Sequence, residues 1–207
     1  MCYNIVNTVN IERFCMYNEA NYPVDDLRHA MIIAGIKEIE LRGLSDFSLR
    51  RVASACGVSC AAPYRHFKSK SDLISAIISY INDQWKLLER QIAEVYSNDL
   101  RRQIVELGVA NVRFWIANPN FRSIMMMDDR GLDTLQLRER SRITDGIKSL
   151  VHLYCDENAF SEAQKTACAF EVLSIIYGAT HMLGSGEIEN TPETVTIIRD
   201  FIEKALG

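Results

Sequence analysis

The sequence predicts an all-α protein. Apolar residues recur at spacings of three and four through almost all of its length after residue 25, helix-start and helix-stop residues bracket these runs, and no segment sustains the apolar–polar alternation of a strand. At 207 residues, with 48% hydrophobic and 24% charged residues, the chain can bury a sizeable core. It has room for one large domain or for a small head fused to a larger body.

About nine helices are expected. Residues 1–23, Asn-rich and ending at Pro23, lack a clear period and are expected to form a loose extension or a partial helix. From Asp25, "DDLRHAMIIAGIKEIELRG" opens with acids suited to a helix N-terminus and stops at Gly43, with Ile32, Ile36 and Ile39 on one face. Ser48 can cap a short helix whose apolar face is Leu49, Val52, Ala53 and Cys56, and Gly57 ends it. Ser59 can cap a second short helix closing near Phe67, and Ser69 with Asp72 resembles a capping box for a long one. Along that long helix Ile74, Ile78, Ile81, Trp85, Leu88, Ile92 and Val95 form a continuous stripe. Further helices are expected at about 99–117, 119–127, 131–155, 161–184 and 192–206.

The net charge of −4 does not by itself suggest a nucleic-acid binder, but it is unevenly spread. Residues 46–70 hold Arg50, Arg51, Arg65, Lys68 and Lys70 against Asp46 alone, an excess of +4, whereas residues 71–207 hold 14 basic and 20 acidic residues. A small basic head on an acidic body is therefore expected.

Two short helices joined by a glycine-containing turn, the second flanked by basic residues, form a helix-turn-helix. A recognition helix must let its first turn approach base edges, and Ser59, Cys60, Ala61 and Ala62 are small enough to allow it. With Ser59 as cap, Pro63 falls at the fourth helical position, where a missing N–H is expected to be tolerated. Tyr64, Arg65, His66, Lys68 and Lys70 make the aromatic and basic flank that suits phosphate contacts. Ser48, Arg50 and Arg51 start the preceding helix, and one arginine is placed to reach a guanine edge.

The run "SLRRVASACGVSCAAPYRHFKSKSDLISAI" resembles the DNA-binding segment of the tetracycline-repressor-like (TetR) family of bacterial transcriptional regulators. The matching residues are Ser48, Val52-Ala53, Gly57-Val58-Ser59, Tyr64-Arg65-His66-Phe67, Lys70 and Asp72-Leu73. The resemblance covers about residues 25–75; beyond it only helix number and length agree. It implies a three-helix head over residues 24–70 and an effector-binding and dimerisation body over 71–207, joined by the long helix. It also implies a homodimer on a palindromic operator, released when a small molecule tilts that helix. By the same resemblance Arg50 becomes a base or phosphate contact, Ser59 to Ala62 lie in the groove, Tyr64, His66 and Lys70 hold phosphates, and Val58 and Phe67 belong to the core of the head. Cys60 departs from the pattern, since family members often carry a longer polar reader there.

In the body, "FWIANPNFRSIMMMDDRG" is aromatic and methionine-rich around a proline, which suits a pocket wall as well as ordinary packing. Trp85, Leu88, Phe114, Trp115, Met125 and Met126 are the candidate lining for an apolar or aromatic effector, with Tyr177 and His181 as polar donors; each also reads as core or surface. Asp128, Asp129 and Asp133 are better explained as a solvated turn and helix start than as a metal site, and His29, His152 and His181 lack partners at helical ligand spacing. No metal, cofactor or catalytic residue is expected. Small residues beside large apolar ones in the last two helices (Ala167, Ala169, Ser174, Gly178, Ala179) suit close packing across a two-fold axis.

The six cysteines at 2, 15, 56, 60, 155 and 168 are scattered, which fits reduced thiols in a cytoplasmic protein. Cys60 reads as a passive small residue or as a redox-sensitive one. The start of the chain lacks the features of a secretory signal, and the contiguous apolar runs are far short of a membrane span. The expected function is a DNA-binding transcriptional repressor responsive to an effector. The alternatives are an effector-independent DNA-binding module of the same fold and an all-α enzyme with an appended helix-turn-helix. The enzyme is disfavoured because no nucleophile–base pair, metal constellation or phosphate loop is present.

Overall fold

A computed structural model describes residues 27–125 and 132–207. Among them eight α-helices and one 3-10 helix occur: α1 (Leu27–Arg42), α2 (Leu49–Ala55), the 3-10 helix (Pro63–Arg65), α3 (Lys70–Val95), α4 (Leu100–Ala117), α5 (Pro119–Met125), α6 (Thr134–Glu157), α7 (Glu162–Ser185) and α8 (Pro192–Ala205). The all-α expectation holds for the described residues. The extension 1–23 and the residues Met126, Asp128 and Asp129 lie outside them.

The one expected helix that differs spans residues 59–67. The backbone there makes successive three-residue closures, Ala62 N–H to Ser59 C=O (2.9 Å), Arg65 N–H to Ala62 C=O (3.1 Å) and His66 N–H to Pro63 C=O (2.9 Å). Pro63 is the cause. At the fourth position of an α-helix capped by Ser59 its N–H would have made the first bond back to Ser59, so the missing hydrogen does matter there. The chain instead tightens into a 3-10 turn with Pro63 in its first position, where no N–H is needed.

The described residues group into two compact units. The first comprises 27–84 with 118–125 and 132–142. Its core is the apolar face of α1 (Met31, Ile32, Ile36, Ile39) with Val52, Ala53, Phe67 and the stripe Leu73, Ile74, Ile77, Ile78, Ile81. Each large apolar side chain among them contributes about 1.5–3 kcal/mol by leaving water. α1 packs on both α2 and α5. Gly35 lets α1 approach α3 closely, since a Cβ there would lie 2.8 Å from Ile77 Cδ1. Gly43 and Gly57 end α1 and α2 with φ of +73° and +68°, a conformation that favours glycine.

The second unit comprises 85–117 with 143–207, and α4 is its centre. α4 buries Ile104, Val105, Leu107, Val109, Ala110, Val112, Phe114 and Trp115, and it packs on α7 and α8. The approach is close at Gly108, where a Cβ would meet Ile202 Cδ1 at 2.7 Å and Ile176 Cδ1 at 3.3 Å. Glu106, 2% exposed, is neutralised there by Arg199 across a two-pronged contact of 3.2 and 2.8 Å. The chain end is fastened by Arg101, which donates to Gly207 C=O (2.6 Å), Glu203 C=O (2.8 Å) and Tyr154 Oη (3.1 Å).

α7 and α8 begin with strong local signals. Ser161 and Gln164 form a reciprocal capping box, and Thr191 caps α8 ahead of Pro192. The expectation about spanning length needs correction at α7. By length and composition this helix is apolar enough to cross a membrane, with mean hydropathy 1.3 over a window only 28% buried. Alanine, glycine, serine and threonine interrupt its larger residues, so no long contiguous apolar run marks it in the sequence. One such helix is also what a packed interface helix looks like.

Candidate nucleic-acid interface

α2 and the 3-10 turn carry the motif residues. Ser48 stands at the N-cap of α2 in extended conformation, though its hydroxyl makes no capping bond. Gly57 then turns the chain, and Val58 N–H reaches back to Ala53 C=O (3.0 Å). The result presents Ser59, Cys60 and Ala61 exposed, with Ala62 half-buried and Pro63 buried after them. Tyr64 (62% exposed), Arg65, His66 and Lys68 follow on the surface, while Phe67 (1% exposed) anchors the segment in the core. Val58 is half-buried. Arg28 lies over the Phe67 ring at 5.3 Å, a cation–π contact that steadies the turn from α1.

The cationic candidates fall into two groups. Arg50, Arg65 and Lys68 are exposed and enter no ion pair among the described residues. Arg51 and Lys70 are used within the first unit. Arg51 is bonded to Glu38 and to the Asp46 carbonyl, with the Asp46 carboxylate 3.4 Å away. The Glu38 hydrogen bond, followed by the charges of Asp46 and Glu38, raises the guanidinium pKa further. Lys70 donates to Leu44 C=O (2.9 Å) and sits 5.7 Å from the centre of the Phe47 ring. Glu38 and the Leu44 carbonyl have no signature in sequence, because their partners lie 13 and 26 residues away.

The start of α3 is fixed in the expected way. Ser69 Oγ accepts from Asp72 N–H (3.1 Å), and the Asp72 carboxylate accepts from Lys68 N–H (2.8 Å). The returning bond lands one residue earlier than a standard capping box, so it also holds the backbone of the basic flank.

Three of the candidate effector residues, Trp85, Phe114 and Trp115, pack against one another. In the second unit Trp85, Leu88, Phe114 and Trp115 are each at most 3% exposed. Their rings stack edge to face, Trp85–Phe114 at 5.5 Å and Phe114–Trp115 at 5.0 Å. The indole N–H groups are satisfied internally, by Glu89 (2.7 Å) and Asn111 (3.0 Å). Burial pushes the Glu89 carboxyl pKa up. Tyr177 and His181 lie elsewhere, 47% exposed and with a 79% exposed side chain respectively. In the first unit Met125 is buried at the end of α5. Among the described residues no group of His, Cys, Asp or Glu is arranged to hold a metal.

An apolar groove of 410 Å³ runs between α7 and α8, lined by residues including Ile175, Gly178, Met182, Ile188, Ile197 and Phe201. Phe170 (72% exposed) and Tyr177, seven residues apart, form an uncovered stripe along α7. Small residues in the sequence point to this pair of helices, and the groove adds Ile197 and Phe201, for which the sequence holds no separate signal.

Residues 32–77 match the family model for bacterial regulatory proteins of the tetR family. Over 80 residues, 39% of this chain, the sequence is 32% identical to the HTH-type transcriptional regulator AcrR of Shigella flexneri, and the match spans 34% of that relative's length. Solved structures share the fold across most of the chain. A TetR family transcription regulator from Marinobacter aquaeolei VT8 superposes with a TM-score of 0.66 at 18% identity, covering 86% of this chain and 94% of the other. The TetR family regulator PfmR from Thermus thermophilus gives 0.63 at 19% identity, covering 85% and 96%. The fatty acid degradation regulator FadR from Bacillus halodurans gives 0.63 at 14% identity, covering 90% and 97%.

Proposed function

We propose that this chain, whose residues 32–77 match the model for bacterial regulatory proteins of the tetR family, is a regulator of that type: a repressor that binds a palindromic operator as a homodimer and is released by a small apolar or aromatic effector. The observation that carries DNA binding is the surface of the 3-10 turn, where small exposed residues (Ser59, Cys60, Ala61) precede an exposed aromatic and basic row (Tyr64, Arg65, His66, Lys68). Small side chains let the turn sink into the major groove, and the row grips phosphates on either side. Arg50 is the arginine available for a base edge, whereas Arg51 and Lys70 hold the turn in place for it. DNA binding is assigned to residues 24–70, and effector binding with dimerisation to 71–207.

The homodimer reading rests on the uncovered stripe of α7 and the groove between α7 and α8. A second copy, related by a two-fold axis, would bury Phe170, Tyr177, Ile197 and Phe201, and glycine and alanine on α7 permit close approach. Two heads would then read half-sites about 34–36 Å apart, one helical turn of DNA. The protein is expected to work in the cytoplasm and to carry no catalytic activity.

Effector release has support in the apolar character of the second unit and in the likeness to a regulator of fatty acid degradation. A specific observation favours a second reading. Trp85, Phe114 and Trp115 are packed against one another with their indole N–H groups already paired, as in a core with no need of a ligand. A thermal-shift screen separates the two: an apolar compound that raises Tm and weakens DNA binding supports release, and a full library without such a compound supports effector-independent binding.

A further inference from the structure

We infer that Gln136, 65 positions beyond Ser71, is a positioning residue for DNA binding. The inference rests on the DNA-binding reading above.

Gln136 is an amide only 2% exposed, and its polar atoms are engaged. Its Oε1 accepts from Asp133 N–H (3.0 Å). Its Nε2 faces three acceptors at the start of α3: Ser71 C=O (2.9 Å), Ser71 Oγ (3.0 Å) and Ser75 Oγ (3.1 Å). Asp133 completes the clamp, taking Gln136 N–H (2.9 Å) on one oxygen and the Ser71 hydroxyl (3.0 Å) on the other. Further along α3, Asn82 donates to Glu139 C=O (2.8 Å). The beginning of α6 is thus strapped to the beginning of α3 by polar bonds, all within the first compact unit.

The strapped point matters for its neighbours. Lys70, adjacent to Ser71, is bonded to Leu44 C=O, and Asp72 holds the Lys68 backbone. Residues 68–72 are therefore gripped from the motif on one side and from Gln136 on the other. Directly before them lies the exposed row from Tyr64 to Lys68. Phosphate contacts need these groups at fixed spacing, and a loose first turn of α3 would let them drift. A residue needed only for packing would more economically be leucine, which has similar volume and no polar atoms to satisfy.

The test uses the full-length chain and a genomic duplex fragment selected by the wild-type protein. Affinity is measured over a series of KCl concentrations for wild type, Gln136→Leu and Ser75→Ala, alongside Tm. Gln136→Leu is expected to weaken binding about tenfold, because the acceptors on Ser71 and Ser75 are left without the amide that donates to them. It is also expected to lower the slope of log affinity against log salt by about 0.9 for each phosphate that is no longer neutralised. Ser75→Ala, which leaves both bonds to Ser71, should shift affinity in the same direction by less. Should Gln136→Leu not fold, Ser71→Ala takes its place with the same expected change of slope. A lowered Tm with affinity and slope unchanged would make Gln136 a structural residue only and overturn the inference. Failure of the wild type to select any fragment would instead sink the DNA-binding reading, and this inference with it.

Discussion

Arg51 is bonded to Glu38, while its neighbour Arg50 is exposed and enters no ion pair among the described residues. One helical position therefore separates a paired arginine from an exposed, unpaired one. Arg50→Ala should leave Tm unchanged and weaken binding to a selected fragment, relaxing sequence preference by about 1–3 kcal/mol if the contact is to a guanine edge. Arg51→Ala should lower Tm as well as affinity. Paired thermal melts and anisotropy titrations of the two variants check this.

Glu106 and Arg199 form the most deeply buried ion pair described, with the Glu106 side chain 3% exposed. Arg199→Met leaves that carboxylate only the longer 4.0 Å contact to the half-exposed Arg102 and should cost about 3–5 kcal/mol. Replacing both, as Glu106→Leu with Arg199→Met, should recover most of the loss, because no buried charge is then left and Arg102 is exposed enough to be solvated. Urea melts of the two single variants and the double variant measure it.

Glu89 is a carboxyl raised above its ordinary value near 4.5, chiefly by burial, with the Trp85 indole N–H partly offsetting that. A raised acid binds its proton more tightly when folded, so its contribution favours the fold at low pH. That contribution is lost as pH rises from the unfolded value through the folded one. Glu89→Gln keeps an acceptor for Trp85, and it should raise Tm at pH 7 with little gain at pH 4. Melts across pH 4–8 provide the check.

The uncovered stripe of α7 gives a prediction about assembly. Phe170→Glu and Tyr177→Glu, both on exposed positions, should leave the helical content intact and convert the proposed dimer into a monomer in sedimentation. Binding to a palindromic fragment should fall much more than binding to a half-site.

Most helices are legible in the sequence because their signals are local. The expected 192–206 helix is found at Pro192–Ala205, with Thr191 and Pro192 setting its start; the expected stripe from Ile74 to Val95 is buried as far as Ile92, while Val95 at its end is 47% exposed. The turn at 59–67 departs from expectation by one hydrogen bond: the N–H that Pro63 lacks is the one that would have closed onto Ser59, and without it the helix becomes a 3-10 turn. The roles of Arg51 and Lys70 are not legible, since Glu38 and the Leu44 carbonyl reach them only through the fold. Burial of Trp85 follows from its place in the α3 stripe, but that spacing says nothing about whether space is left beside it for a ligand.

The central claim is that the exposed turn from Ser59 to Lys68 reads DNA. Its most direct test is the affinity of the full-length protein for selected and unselected genomic fragments between about 50 and 200 mM salt, conditions over which a protein making about 6–10 phosphate contacts loses about 10³–10⁵ in affinity. Tight binding to the selected fragment, steep salt dependence, and loss of selectivity in Arg50→Ala are expected. Equal, weak binding to every fragment, with wild type and Arg50→Ala indistinguishable, would contradict the claim.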